Sequence, residues 1–148
     1  MSFVHHDKVR FGDLDAMRHL NNVAFLQFFE SARIEYITTL LPDHDPAHPE
    51  GDFGLIFAEC QIAYRSPAFY GEELLTTVGP TALRRSSFRL RFRMDSGKDG
   101  RLLAEGWGVM VGYDYVAGKA TPLPEKLTAA LRAEGATEDD TSEAVVAE

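Results

Sequence analysis

Between Asn22 and about Leu41 the chain carries its one long amphipathic segment, and the rest must fold around it. Phe25, Phe28, Phe29, Ala32, Ile34, Tyr36, Ile37, Leu40 and Leu41 recur at spacings of three and four. That is the period of an α-helix with a wide apolar face. Asn21 or Asn22 can cap its first turn with a side-chain oxygen, and Pro42 stops it. A sheet wrapped around such a helix would bury the aromatic stripe.

The remaining segments read as the strands of that sheet. Phe3 to Gly12 is a first strand, with Val9 and Phe11 alternating with Lys8 and Arg10. Asp13 to Asn21 is a polar loop. Asp43 to Asp52, with two prolines, is expected to be a polar surface connection at the edge of a substrate mouth. Phe53–Tyr64, Glu72–Pro80, Arg84–Met94 and Leu102–Tyr115 follow as four strands. The third of these alternates most cleanly: Ser86, Phe88, Leu90, Phe92 and Met94 face one way, and Arg85, Ser87, Arg89, Arg91 and Arg93 the other. Asp95 to Gly100 is a turn, so the last three strands form an antiparallel meander. Gly106, Gly108 and Gly112 let the last strand bend. Pro122 to Arg132 suits a short terminal helix. One helix beside an antiparallel sheet is an α+β arrangement.

With 148 residues, 45% hydrophobic, the chain supports one core and too little for two. Residues 1–134 are expected to form the domain, and 135–148 an acidic, disordered tail. That tail carries five of the 23 acids and no base, so the net charge of −8 is partly a tail property. The acidity argues against a nucleic-acid partner. Cys60 is the only cysteine, which excludes an intrachain disulfide, fits a reducing compartment and suggests a small buried strand residue. No apolar run is long enough to span a membrane, and Met1 to His6 lacks a signal peptide's apolar stretch. The expectation is a cytoplasmic protein. His5, His6, His44 and His48 are scattered, no cluster calls for a metal or another cofactor, and no glycine-rich phosphate loop precedes a helix.

Two segments carry chemistry. Arg10 to Arg33 places an acid, Asp15, in the strand-to-helix connection, then His19-Leu20-Asn21-Asn22 and Glu30-Ser31-Ala32-Arg33. Tyr64-Arg-Ser-Pro-Ala-Phe-Tyr-Gly-Glu72 joins two strands. On residues alone, Asp15 reads first as a loop acid that forms a turn. Together the two segments closely resemble the 4-hydroxybenzoyl-CoA thioesterase-like family, with the order of elements matching from Val4 to about Tyr115. The resemblance implies a hot-dog fold, a curved antiparallel sheet around a long helix. It implies hydrolysis of acyl-coenzyme A thioesters with no cofactor. It further implies active sites at the interface of a homodimer, often within a dimer-of-dimers tetramer.

By the same resemblance Asp15 is the catalytic carboxylate, as general base or nucleophile, and the backbone N–H of Asn22 contacts the thioester oxygen. A helix start suits that task, with free N–H groups and the positive end of the dipole. Asp13 is the nearest rival. Glu30 and Arg33 can pair on one helix face, and His19 invites a base assignment. Arg18 departs from the family, where glycine is common. For the phosphates of coenzyme A the candidates are Arg65, Ser66, Arg89 and Arg91, with Arg84, Arg85, Arg93 and Ser87 behind them. Phe25, Phe29, Leu55 and Phe57 are candidates for the acyl pocket. The alternatives are a thioesterase acting on acyl carrier protein, a hot-dog hydratase pairing Asp15 with His19, and an acyl-CoA-binding protein without turnover.

Overall fold

The computed structural model describes residues 3–42 and 53–138. The elements run β1 (Phe3–Lys8), a 3-10 turn (Phe11–Asp13), α1 (Asn22–Leu40), β2 (Phe53–Tyr64), β3 (Glu73–Leu83), β4 (Ser87–Ser96), β5 (Leu102–Asp114), β6 (Lys119–Ala120) and α2 (Glu125–Ala133). The strands pair antiparallel in the order β1-β3-β4-β5-β2, with the two-residue β6 added to β5. The meander expected of the last three long strands is β3-β4-β5.

Topology follows from α1. β1 and β2 lie at opposite edges of the path, and the helix joins them across the sheet. Its Phe25, Phe28, Phe29, Ala32, Tyr36 and Ile37 are buried. From the sheet they meet Phe88, Leu90, Phe92 and Met94, all 1% exposed or less, and Phe29 stacks on Phe92 with ring centroids 5.1 Å apart. A curved sheet around one buried helix is the hot-dog arrangement. Gly108 on β5 has a specific reason to be glycine: a Cβ there would come within 2.3 Å of the Phe57 ring.

Several boundaries and burials differ from the sequence reading. The first strand ends at Lys8, because Asp13 folds back on Arg10 and closes a 3-10 turn. α2 begins after Pro124. Ala136 is buried and Thr137 bridges to Ala82, so packed chain continues past 134 to Glu138. Residues 139–148, most of the expected tail, lie outside the described residues, as do His44, His48 and the 43–52 connection. Cys60, expected inside, is exposed in the single chain, because β2 is an edge strand. The arginine stripe of β4 is not uniformly exposed. Arg91 and Arg93 face solvent, whereas Ser87 and Arg89 are buried and the Arg89 guanidinium sits 4.5 Å over the Trp107 ring on β5.

Candidate active site

The site is built where the helix begins. A helix start leaves its first N–H groups without internal partners, and here their fates differ. Asn21 is the cap: its side-chain oxygen accepts from Val23 N at 2.9 Å. Its carbonyl accepts from Ala24 N at 2.9 Å and Phe25 N at 3.2 Å. The N–H of Asn22 has no hydrogen-bond partner among the described residues. It is therefore a free donor at the positive end of a nineteen-residue helix.

The loop before it is a tight reversal. Leu14 and Leu20 bridge antiparallel, Asp15 N donates to His19 O at 3.2 Å, and Arg18 N donates to Asp15 O at 3.0 Å. Arg18 takes a φ of 72°, the left-handed region that glycine occupies without strain. Arginine thus stands here in a backbone conformation that the family's common glycine would adopt without strain. Asp15 is half-buried. One carboxylate oxygen accepts from Met17 N at 2.8 Å, and the other has no partner among the described residues.

Asp13, two residues earlier, is the opposite case. It is 7% exposed, accepts from Arg10 N at 2.8 Å, and holds the Arg10 guanidinium through both oxygens at 3.0 Å. Burial alone would raise its pKa, but the bonds from Arg10 outweigh it and hold the carboxyl below its ordinary value. Its backbone oxygen also accepts from Asn21 N, closing the loop against the helix cap. Asp13 builds the loop that presents Asp15.

Beside the helix start lies an open concavity of about 300 Å³. Its walls include Asn22, His19, Phe25, Tyr64, Arg65 and Ser66. Four residues singled out in the sequence, Asn22, His19, Arg65 and Ser66, are therefore brought together, along with Phe25 as its apolar wall. Asp15 sits in the adjoining reversal and is not part of this wall. His19 Nδ1 lies 3.3 Å from Leu20 O. A carbonyl only accepts, so that bond places the proton on Nδ1 and leaves Nε2 as an acceptor in the neutral ring.

Tyr64 was read only as the start of a loop motif. The structure makes it a site residue: its hydroxyl donates to Asn22 O at 3.3 Å, and its ring meets Phe25 edge-on at 5.2 Å. The two residues are 42 apart in sequence, and no local pattern connects them.

Arg89 and Arg91 fall elsewhere. They line a second concavity, of about 370 Å³, on the outer face of the sheet with Gln61, Glu105 and Trp107. Arg65 borders both concavities and is paired with Glu105 at 3.1 Å. Arg93 is paired with Asp95. Glu30 is largely exposed and lies 3.6 Å from Arg33, which is buried with its guanidinium 4.1 Å over the Phe57 ring. Phe29 is core, and Leu55 and Phe57 are half-buried on β2. His5 contacts Asp7 and Glu35. No three His, Cys, Asp or Glu side chains among the described residues are grouped to hold a metal. No helix among them is long and apolar enough to cross a membrane.

The hot-dog sheet and the family match agree on the class of protein. The chain belongs to the thioesterase-like superfamily, whose family model matches residues 9–131. Among solved structures it is similar to a 1,4-dihydroxy-2-naphthoyl-CoA thioesterase from Synechocystis (22% identity, covering 89% of this chain and 96% of that one, TM-score 0.80). It is also similar to a thioesterase-superfamily protein from Jannaschia sp. CCS1 (26%, 89% and 82%, TM-score 0.80). A third is a Staphylococcus aureus protein solved in complex with CoA (16%, 90% and 84%, TM-score 0.79). No curated protein sequence matches the chain.

Proposed function

We propose that the protein hydrolyses acyl-coenzyme A thioesters to a free carboxylic acid and coenzyme A. The observation that carries this reading is the unpartnered N–H of Asn22 at the start of α1, beside the reversal that bears Asp15. A thioester carbonyl docked on that N–H is polarised by one donor and the helix dipole together, in a concavity with an apolar wall at Phe25. Asp15 supplies the carboxylate through its free oxygen. It either takes a proton from water as water adds to the carbonyl carbon, or adds itself and is released by water. In the first route the C–S bond breaks and Asp15 passes its proton to the leaving sulfur; in the second the thiolate leaves and takes a proton from solvent, and water then cleaves the anhydride to release the acid and free Asp15.

Coenzyme A extends from the helix start past Ser66 and Arg65. Its phosphates then reach the outer concavity, where Arg65, Arg89 and Arg91 meet. A second copy of the chain closes the open side, giving a homodimer or a pair of dimers with the site at the interface. The exposed Arg85, Arg91 and Arg93 also suit an acidic carrier protein, so acyl carrier protein is the second reading.

The test is release of free thiol from aromatic, short-chain and medium-chain acyl-CoAs, run beside the same acyl groups on carrier protein. Turnover of at least one acyl-CoA is expected. Turnover only on carrier protein moves the substrate to the second reading. No release from either, by folded protein, overturns thioester hydrolysis and points to hydration or to binding alone.

A further inference from the structure

We propose that the acidic segment 139–148 docks on the arginine-lined outer face of the sheet and there, resting on the thioesterase reading, competes with the phosphates of coenzyme A. The segment carries four acids, Asp139, Asp140, Glu143 and Glu148, and no base. It lies beyond residues 9–131, which the family model matches.

The described residues end at Glu138, on the rim of that face. Thr137 N donates to Thr81 O at 3.1 Å, and Leu83 N donates to Thr137 O at 2.8 Å. Thr81 lines both outer concavities: the one of about 370 Å³ with Arg65, Arg89 and Arg91, and a neighbour of about 360 Å³ with Arg91, Arg93 and Glu134. Leu83 pairs with Phe88 and Pro80 with Leu90, so Arg89 and Arg91 stand on the strand next to the exit. The two linings hold four arginines against two acids, Glu105 and Glu134. Glu105 holds Arg65, Asp95 holds Arg93, and Glu134 accepts from Tyr36. Arg91 is exposed and has no ion-pair partner among the described residues. Arg132, at the exit, is engaged by Glu138, so the acids that follow need other cations. A chain of net charge −8 thus presents a cationic face beside the exit of an acidic segment.

The segment is long enough. From β3 to β2 is three strand spacings, about 14 Å, and ten extended residues span about 33 Å. Surface ion pairs of this kind are weak and screened by salt, but the tether supplies an effective concentration on the order of 1 mM. Against a segment affinity of about 0.2–0.5 mM, that raises the apparent KM for acyl-CoA about three- to sixfold. Saturating substrate displaces the segment, so kcat is untouched.

Trp107 is the only tryptophan and lines the outer concavity, so its fluorescence reports the occupant. A nitroxide attached at Val146→Cys, in a full chain carrying Cys60→Ser, should quench it at low salt, equally at all protein concentrations. Salt at about 0.5 M, Arg91→Gln or free coenzyme A should each relieve the quenching. No quenching beyond that of a diamagnetic label overturns the docking. Quenching that grows with protein concentration puts the segment on a second copy and overturns it too. In kinetics, the full chain with Asp139→Asn, Asp140→Asn, Glu143→Gln and Glu148→Gln should show a KM about three- to sixfold lower at unchanged kcat, with the gap closing in salt. Equal KM in the two chains overturns the competition. If the parent releases no thiol, the thioesterase reading falls separately, and the quenching still decides the docking.

Discussion

Two loop-built regions sit side by side in this molecule, joined where Leu20 N donates to Ala68 O. They use carboxylates in opposite ways. Around Glu72, every feature is spent on structure. The side chain is 6% exposed; one oxygen accepts from Phe69 N at 2.9 Å, and the other from Ser96 Oγ at 2.5 Å and Arg101 at 2.8 Å. Burial pushes its pKa up, but those bonds together outweigh burial and leave it below the ordinary value. Around Asp15 the chain leaves groups over: a carboxylate oxygen, the Asn22 N–H and a hydroxyl on a long bond. Groups left without protein partners at a helix start are open to water or to a ligand. The contrast separates the acid that holds the loops from the acid proposed to act on a substrate.

The largest expected effect is on the second region. Asp15→Asn should lower thiol release at least about a hundredfold, equivalent to about 2.7 kcal/mol of transition-state stabilisation, while the melting temperature stays within a degree or two. Next comes Glu72→Gln, which weakens three bonds at a buried position and should cost about 1–3 kcal/mol, read as a lower unfolding midpoint in denaturant. The same carboxylate gives a pH dependence. Glu72 and Asp13 both have folded pKa values below the ordinary range. Their stabilisation is therefore complete above a pH of about 4 to 4.5, where the unfolded carboxyls ionise, and is lost as pH falls through the folded values. Melting temperature should stay level toward pH 5 and drop below it, with a shallower drop in Glu72→Gln. The smallest effect is at Arg18. Glycine there removes left-handed strain but adds freedom to the unfolded chain, so Arg18→Gly should gain about 0.5–1 kcal/mol or less. A loss of stability at Arg18→Gly would show that the arginine side chain, not its backbone, matters.

Much of this was legible from residue order. The three- and four-residue spacing of the aromatic stripe placed α1 closely, and the alternation from Ser86 to Met94 found the buried face of β4. The resemblance of the Arg10–Arg33 segment led to the helix start. What the order hid was tertiary. Cys60 is exposed because β2 is an edge, and edges are a property of pairing. Arg89 is buried against a tryptophan on the neighbouring strand, so an alternation that reads as solvent-facing is partly covered. Asp13 and Asp15 look equivalent in sequence, and only the fold shows that Arg10 claims one of them. Tyr64 joined the site through a contact across the concavity, which no spacing rule reports.

The most direct test crosses the two regions in one experiment: thiol release at saturating acyl-CoA and melting temperature, measured together for the parent, Asp15→Asn and Glu72→Gln. The account predicts a crossed pattern, with Asp15→Asn stable and nearly inactive, and Glu72→Gln less stable but, well below its melting point, close to parental in rate. Full activity in a folded Asp15→Asn protein would contradict it.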